Sequence, residues 1–121
     1  MLMNALLLFS VVSILSVGQV FFKLTANRLP DQFSFGTVAS IIGDFRFIFA
    51  LCFYCAGTLL WIFALKRMPL TVAYPFVALS FIVTPILASI FLDERLSLAN
   101  GLGGLLIISG VLVIANWGGA V

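Results

Sequence analysis

Residues 68–92 read MPLTVAYPFVALSFIVTPILASIFL, 25 consecutive positions without a charged side chain. A bilayer core is about 30 Å thick and takes roughly 20 apolar helical residues to cross, so this run is long enough to span. Lys66-Arg67 precedes it and Asp93-Glu94-Arg95 follows it, which confines charge to its two ends. Further charge-free runs occupy 1–22, 47–65 and 96–121, with lengths of 22, 19 and 26 residues. The sequence therefore predicts an all-α membrane protein of four transmembrane helices, at about 2–22, 47–65, 69–92 and 97–117, forming a single domain over 1–121.

The composition points the same way. Hydrophobic residues make up 64% of the 121 and charged residues 8%, against roughly 45–50% and about 25% in soluble domains. The four runs leave too little chain for a soluble catalytic lobe or a nucleotide-binding core. Net charge is +2 with no histidine, so there is no polybasic tract for nucleic acid and no imidazole for a metal or a proton relay. Neither a cofactor nor a nucleic-acid partner is expected, and membrane lipids are the expected surroundings. The first run lacks a basic leader and a small-residue cleavage site, which reads as a retained helix rather than a secretory signal. Cys52 and Cys55 form a CxxC within the second run. Reactive CxxC sites need exposed, electropositive surroundings, which lipid depth does not supply, so these read as small apolar residues.

Between the spans, Asn27–Asp31 is rich in turn-formers, while 32–43 is too short to cross and contains Gly36 and Gly43. It reads as an interfacial piece or as the first turns of the second span. The two-residue Lys66-Arg67 link makes a hairpin of the second and third spans. Pro75 and Pro85 each remove a backbone hydrogen bond that lipid cannot replace, so the bends they cause should face protein or water. Ser97 or Asn100 can cap the fourth helix. Lys23, Arg28, Arg46 and Arg95 lie on one side, against Lys66, Arg67 and the terminal amine on the other. This small bias places both ends outside, with insertion in both orientations left open.

The polar residues within the spans are the candidate site. Ser13, Ser16, Gln19 and Lys23 follow one another at helical spacing on the first span, within an arc of about 120°. A glutamine amide at lipid depth needs partners at both ends, so Gln19 faces the bundle interior or a wet cavity. The second span offers Tyr54, Thr58 and Trp61 with Gly57 alongside, and the third Tyr74, Ser80 and Thr84. Serine and glutamine serve equally as interhelical glue, and Trp61 and Trp117, near span ends, equally suit interfacial anchors. Gly103, Gly104 and Gly110 on the fourth span permit close helix approach, either within the chain or in a dimer. A pathway through so few helices forms most naturally between two chains.

No Asp or Glu occurs within the four runs. A hydrophobic cation exchanged for protons would find no acid at mid-depth. A neutral or anionic polar head, with lipid tails left in the bilayer, fits these residues better.

Met68-Pro-Leu-Thr-Val-Ala-Tyr-Pro, Leu92-Asp-Glu-Arg-Leu-Ser and Gly104-Leu-Leu-Ile-Ile-Ser-Gly-Val-Leu-Val-Ile together resemble the drug/metabolite transporter superfamily. Length and layout look like its small multidrug resistance type, whose members work as antiparallel dimers. The drug pumps of that type carry a glutamate midway along the first helix. Aligning their first-helix lysine with Lys23 puts Leu15 at that position. Leu15-Ser-Val-Gly-Gln and Ala73-Tyr-Pro-Phe-Val-Ala-Leu-Ser-Phe are similar to the subunits that flip aminoarabinose-phosphoundecaprenol across the bacterial inner membrane.

The resemblance implies a flippase subunit for a sugar linked to a polyprenyl phosphate such as undecaprenyl phosphate. Its matching positions are Gln19, Lys23, Tyr74 and Glu94. The combined expectation is a substrate site of Ser16, Gln19, Lys23, Trp61, Tyr74 and Ser80, with Gly103, Gly104 and Gly110 packing a dimer. That dimer is a homodimer, antiparallel as in the resembled type, or a heterodimer with a paralogous four-helix subunit. Glu94 also reads as one member of a solvated Asp93-Glu94-Arg95 turn. The rival readings are an exporter of amphiphilic drugs or metabolites and a non-transporting assembly subunit. No nucleophile–base pair is legible, so an enzyme is not expected.

Overall fold

The computed structural model describes residues 2–117, which form six helices and no strand. In chain order they are α1 (Leu2–Ala26), α2 (Phe35–Gly43), α3 (Phe45–Arg67), α4 (Leu70–Val77), α5 (Ser80–Leu92) and α6 (Leu98–Trp117). Four segments are long and apolar enough to cross a membrane: α1, α3, the α4–α5 pair and α6. The chain folds as an all-α membrane bundle.

The first two spans are longer than the charge-free runs suggest. Lys23 lies inside α1, which continues to Ala26, and Arg46 lies inside α3. Long basic side chains can stay helical and still carry their charge out to the headgroups. Asp44 starts α3 by accepting the Arg46 amide at 2.9 Å, which satisfies one of the unpaired N–H groups at a helix start. Residues 35–43 form a separate helix of nine residues, capped by Ser34, whose hydroxyl accepts the Thr37 amide at 3.3 Å. Phe33, Phe35 and Ile42 stand exposed around it. A helix this short and apolar cannot cross, and it suits the headgroup boundary.

The third span is broken just after Val77, between α4 and α5. Around Ala78 and Leu79 the chain switches to three-residue hydrogen bonds, Ala78 N–H to Pro75 O and Leu79 N–H to Phe76 O, both at 3.0 Å. These tighter bonds form a short three-residue-per-turn segment that separates α4 from α5. Pro85 lies inside α5 without ending it. At the far end Asp93 adopts a left-handed conformation with φ 54°, which Asp tolerates better than most residues. Ser97 and Asn100 then cap α6 reciprocally: the Asn100 amide donates to Ser97 Oγ at 3.3 Å and the Ser97 amide to Asn100 Oδ1 at 3.1 Å.

α1 is the centre of the bundle and packs mainly on α3 and α5. Leu8, Val11, Val12, Ser16, Gly18 and Val20 are buried on its inner faces. Two glycines bring α1 and α3 together. A methyl group at Gly18 would lie 2.7 Å from the Tyr54 ring, and one at Gly57 would lie 2.7 Å from a Leu15 methyl. Phe21 stacks on Phe49 and Phe53, each with centroids 5.7 Å apart, and Phe22 meets the Tyr54 ring at 5.2 Å. In lipid, where apolar side chains gain nothing by leaving one another, such close fit is a main source of helix association.

α6 is peripheral, touching α4 and α5. Gly104 faces inward, with Ile82 Cγ1 at 3.3 Å from the position of an added Cβ, so it packs within the chain rather than on an outer face. Gly103 and Gly110 have open space beside them. Leu98, Leu102, Leu105 and Leu106 also point outward.

Candidate functional site

A cavity of about 390 Å³ lies between α1, α3 and the broken third span. α1 contributes Val12, Leu15, Ser16 and Gln19, and α3 contributes Tyr54. Val77 and Ser80, on either side of the helix break, complete it with Phe81, Thr84 and Pro85 of α5. The break therefore borders a cavity, and of the two helix-interior prolines it is Pro85 that lines it.

Its polar groups are paired across helices. Thr84 Oγ1 donates to the fully buried Ser16 Oγ at 3.0 Å, joining α5 to α1. The Gln19 side-chain amide donates to the Tyr54 hydroxyl, joining α1 to α3. A hydroxyl or amide at this depth is costly unless hydrogen-bonded, so these pairs hold the three helices together and are of the kind that a ligand's hydroxyls could replace.

A second cavity of about 230 Å³ continues towards the end of α1, sharing Gln19 and Thr84 with the first and adding Lys23 and Glu94. Lys23 Nζ lies 3.8 Å from Glu94 Oε1, and both side chains are about half exposed. The result is a graded path along one face of α1: hydroxyls at Ser16, an amide at Gln19, a charge at Lys23. α5 and the α5–α6 turn supply the opposite wall.

The structure brings Ser16, Gln19 and Ser80 to one cavity and Lys23 to the one adjoining it. It does not bring Trp61 or Tyr74 there. Trp61 packs on the small core cluster of Leu8, Ala64 and Ala73, and Tyr74 is 66% exposed on the outside of α4. Tyr54 and Thr84 take the places that sequence reasoning gave to those two. Tyr54 stands out only when α1 and α3 are set side by side, because Gly18 alone leaves room for its ring. Glu94 faces Lys23 rather than closing an ion pair within its own turn.

Cys52 and Cys55 are free and point out of the bundle. Among the described residues no three His, Cys, Asp or Glu side chains converge on a metal position. The site's chemistry is hydrogen bonding and one ion pair.

Comparison with known proteins gives a family model that matches residues 1–116, described as the EamA-like transporter family. A protein of Enterobacter sp. (strain 638), named probable 4-amino-4-deoxy-L-arabinose-phosphoundecaprenol flippase subunit ArnE, is 40% identical over 58 residues, 48% of this chain and 54% of that protein. Proteins of the same name from Aeromonas salmonicida (strain A449) and Pseudomonas fluorescens (strain Pf0-1) are 39% and 34% identical over 61 residues, 50% of this chain and 54% of each relative. The chain thus spans about half the length of the curated relatives it matches. No solved structure matches.

Proposed function

Since this chain belongs to the EamA-like transporter family, a multi-pass membrane protein with four spanning segments, we propose that it is a flippase subunit. Its substrate is a sugar linked to a polyprenyl phosphate, moved between the leaflets of the bacterial inner membrane without covalent chemistry. The relatives' names supply the substrate class. The observation that carries the reading is the cavity itself: it holds Ser16, Gln19, Tyr54, Ser80 and Thr84, and no carboxylate. Leu15, at the position where the resembled drug pumps carry their glutamate, lines this cavity as an apolar wall. Proton-exchanged export of cations has no group to work with there.

In this reading the sugar hydroxyls exchange with the Ser16–Thr84 and Gln19–Tyr54 hydrogen bonds as the head enters. Lys23 accompanies the phosphate at the interface, because a bare phosphate crosses hydrocarbon only at high cost. The polyprenyl tail remains in lipid. Tightening or relaxing the turn at Ala78–Leu79 swings α4 against α5 and alternates access to the cavity. The outward leucines and the open Gly103 and Gly110 of α6 support pairing with a second copy or a paralogous four-helix chain.

The test is reconstitution of the purified protein into vesicles carrying the lipid-linked sugar, with head-group exposure followed by a membrane-impermeant reagent. Native protein is expected to equilibrate the head between leaflets, and Gln19→Leu and Lys23→Ala to slow it. Unchanged rates in both folded variants would remove these residues from the site.

A further inference from the structure

The two cavities of the site reach only one end of α1. Lys23 and Glu94 border them near Ala26, while the midspan cavity stops at Val12 and Val77. Towards the start of α1 a separate cavity of about 380 Å³ lies between α1, α4 and the last turn of α6. Its apolar walls, Leu8, Val72 and Phe76, lead out to two side-chain amides, Asn4 on α1 and Asn116 on α6. Among the described residues no carboxylate borders it. Lys66 and Arg67 end α3 immediately before Met68, which also lines it.

The wall between this cavity and the midspan one is thin. On α1 Leu8 lines the first and Val12 the second, one helical turn apart, and on the third span the consecutive Phe76 and Val77 divide in the same way. Leu8 is 2% exposed and packs with Ala64 and Ala73, and Phe76 lies against that cluster. Phe76 also belongs to the helix break, where its carbonyl accepts the Leu79 amide at 3.0 Å. A wall one turn deep that hangs on the break moves with the α4 segment and needs no span to unfold.

A polar head that leaves the midspan cavity in this direction needs hydrogen-bond partners before it reaches water, because an unpaired hydroxyl at lipid depth is costly. Each asparagine side chain offers a carbonyl acceptor and an NH₂ donor, which suits hydroxyls that both donate and accept. Resting on the flippase reading, we propose that this cavity is a far-side subsite at which Asn4 and Asn116 receive the hydroxyls of the head, and that Leu8 and Phe76 form the wall that shuts it off from the midspan cavity. The path then runs the whole length of α1, with basic residues at both ends, Lys23 at one and Lys66–Arg67 at the other.

The experiment replaces Cys52 and Cys55 by alanine and introduces one thiol, Ala5→Cys in the far cavity or Ser80→Cys in the midspan one. A membrane-impermeant maleimide is applied to each face of the vesicles separately. Ala5→Cys is expected to react from the Lys66–Arg67 face, and saturating hexose 1-phosphate to slow that reaction by on the order of tenfold. Asn4→Leu and Asn116→Leu should each remove the protection. Ser80→Cys is expected to react from the Lys23 face alone, and Phe76→Ala to raise its reaction from the opposite face by on the order of tenfold. Phe76→Leu keeps more of the packing, should give a smaller gain, and serves if the alanine variant does not fold. An inert Ala5→Cys, protection that is absent or survives both asparagine variants, or a Ser80→Cys that stays closed in both Phe76 variants would overturn the far-side subsite. Translocation by the native protein is read separately, so any of these results leaves the flippase reading standing, whereas labelling as expected with no lipid moved would support the subsite and count against that reading.

Discussion

The amide of Gln19 on α1 donates to the hydroxyl of Tyr54 on α3, and this contact depends on a residue with no side chain, Gly18, against which the Tyr54 ring lies. Packing and site chemistry are coupled at this point. A small residue sets how near α3 comes, and that distance sets whether a tyrosine can reach a glutamine.

Gly18→Ala is therefore expected to act on the site through packing. An added methyl 2.7 Å from the Tyr54 ring must push the ring or the helix aside, and overpacking of this kind costs about 1–3 kcal/mol. Gly57→Ala meets the flexible end of Leu15 instead and should cost less. Thermal denaturation of both variants in detergent, with translocation measured beside it, checks the order.

Tyr54→Phe keeps the ring that packs on Gly18 and Phe22 but leaves the Gln19 amide without its partner. The expected outcome is a modest loss of stability, about 1 kcal/mol, from the unpaired amide. Translocation of the lipid-linked sugar is expected to fall by roughly tenfold. A variant that transports normally would take the hydroxyl out of the site.

Ser16 and Thr84 form a pair whose worth is separable by a double-mutant cycle. Ser16→Ala and Thr84→Val are each expected to destabilise, and the coupling between them to be about 0.6 kcal/mol, as for interhelical hydrogen bonds in lipid. Denaturation in mixed micelles reads it, and a coupling of zero would mean that the 3.0 Å contact contributes nothing in the membrane.

Tyr74 supplies the contrast. It lies outside the cavity and is 66% exposed, so Tyr74→Phe is expected to leave translocation within about twofold, a change under ~0.5 kcal/mol in barrier. The same assay that detects Tyr54→Phe decides this.

The small residues of α6 divide in the same way. Gly104→Leu would collide with Ile82 inside the chain, and loss of folded protein on size exclusion is expected. Gly103→Leu and Gly110→Leu have room and should fold normally, while weakening self-association measured by cross-linking in membranes, because close backbone approach between helices requires small residues.

The spans were legible because the energetic rule behind them is local: charge cannot sit at mid-depth, and the charge-free runs bounded all four crossing segments to within a few residues. The sequence reads the third span as one helix bent at Pro75 and Pro85; it is instead two helices that part after Val77, with Pro85 held inside α5. The polar face of α1 could be read from spacing alone, and Ser16 and Gln19 both reach the cavity. The partners of that face could not. Tyr54 and Tyr74 carry identical chemistry, and which one turns inward is set by how α3 and α4 are rotated against α1; for Tyr54 the room is made by Gly18 on the facing helix. The resemblance names Glu94, which also reads as part of a solvated turn; that it faces Lys23 was not legible, because its direction follows the left-handed backbone at Asp93.

The most direct test places two reporters in the same vesicles, a polyprenyl-phosphate-linked sugar and a labelled quaternary ammonium cation under an imposed proton gradient. A cavity with hydroxyls, an amide and no mid-depth acid is predicted to equilibrate the sugar head across the bilayer and to leave the cation where it was. Proton-driven movement of the cation with the sugar lipid left static would contradict the account at its root.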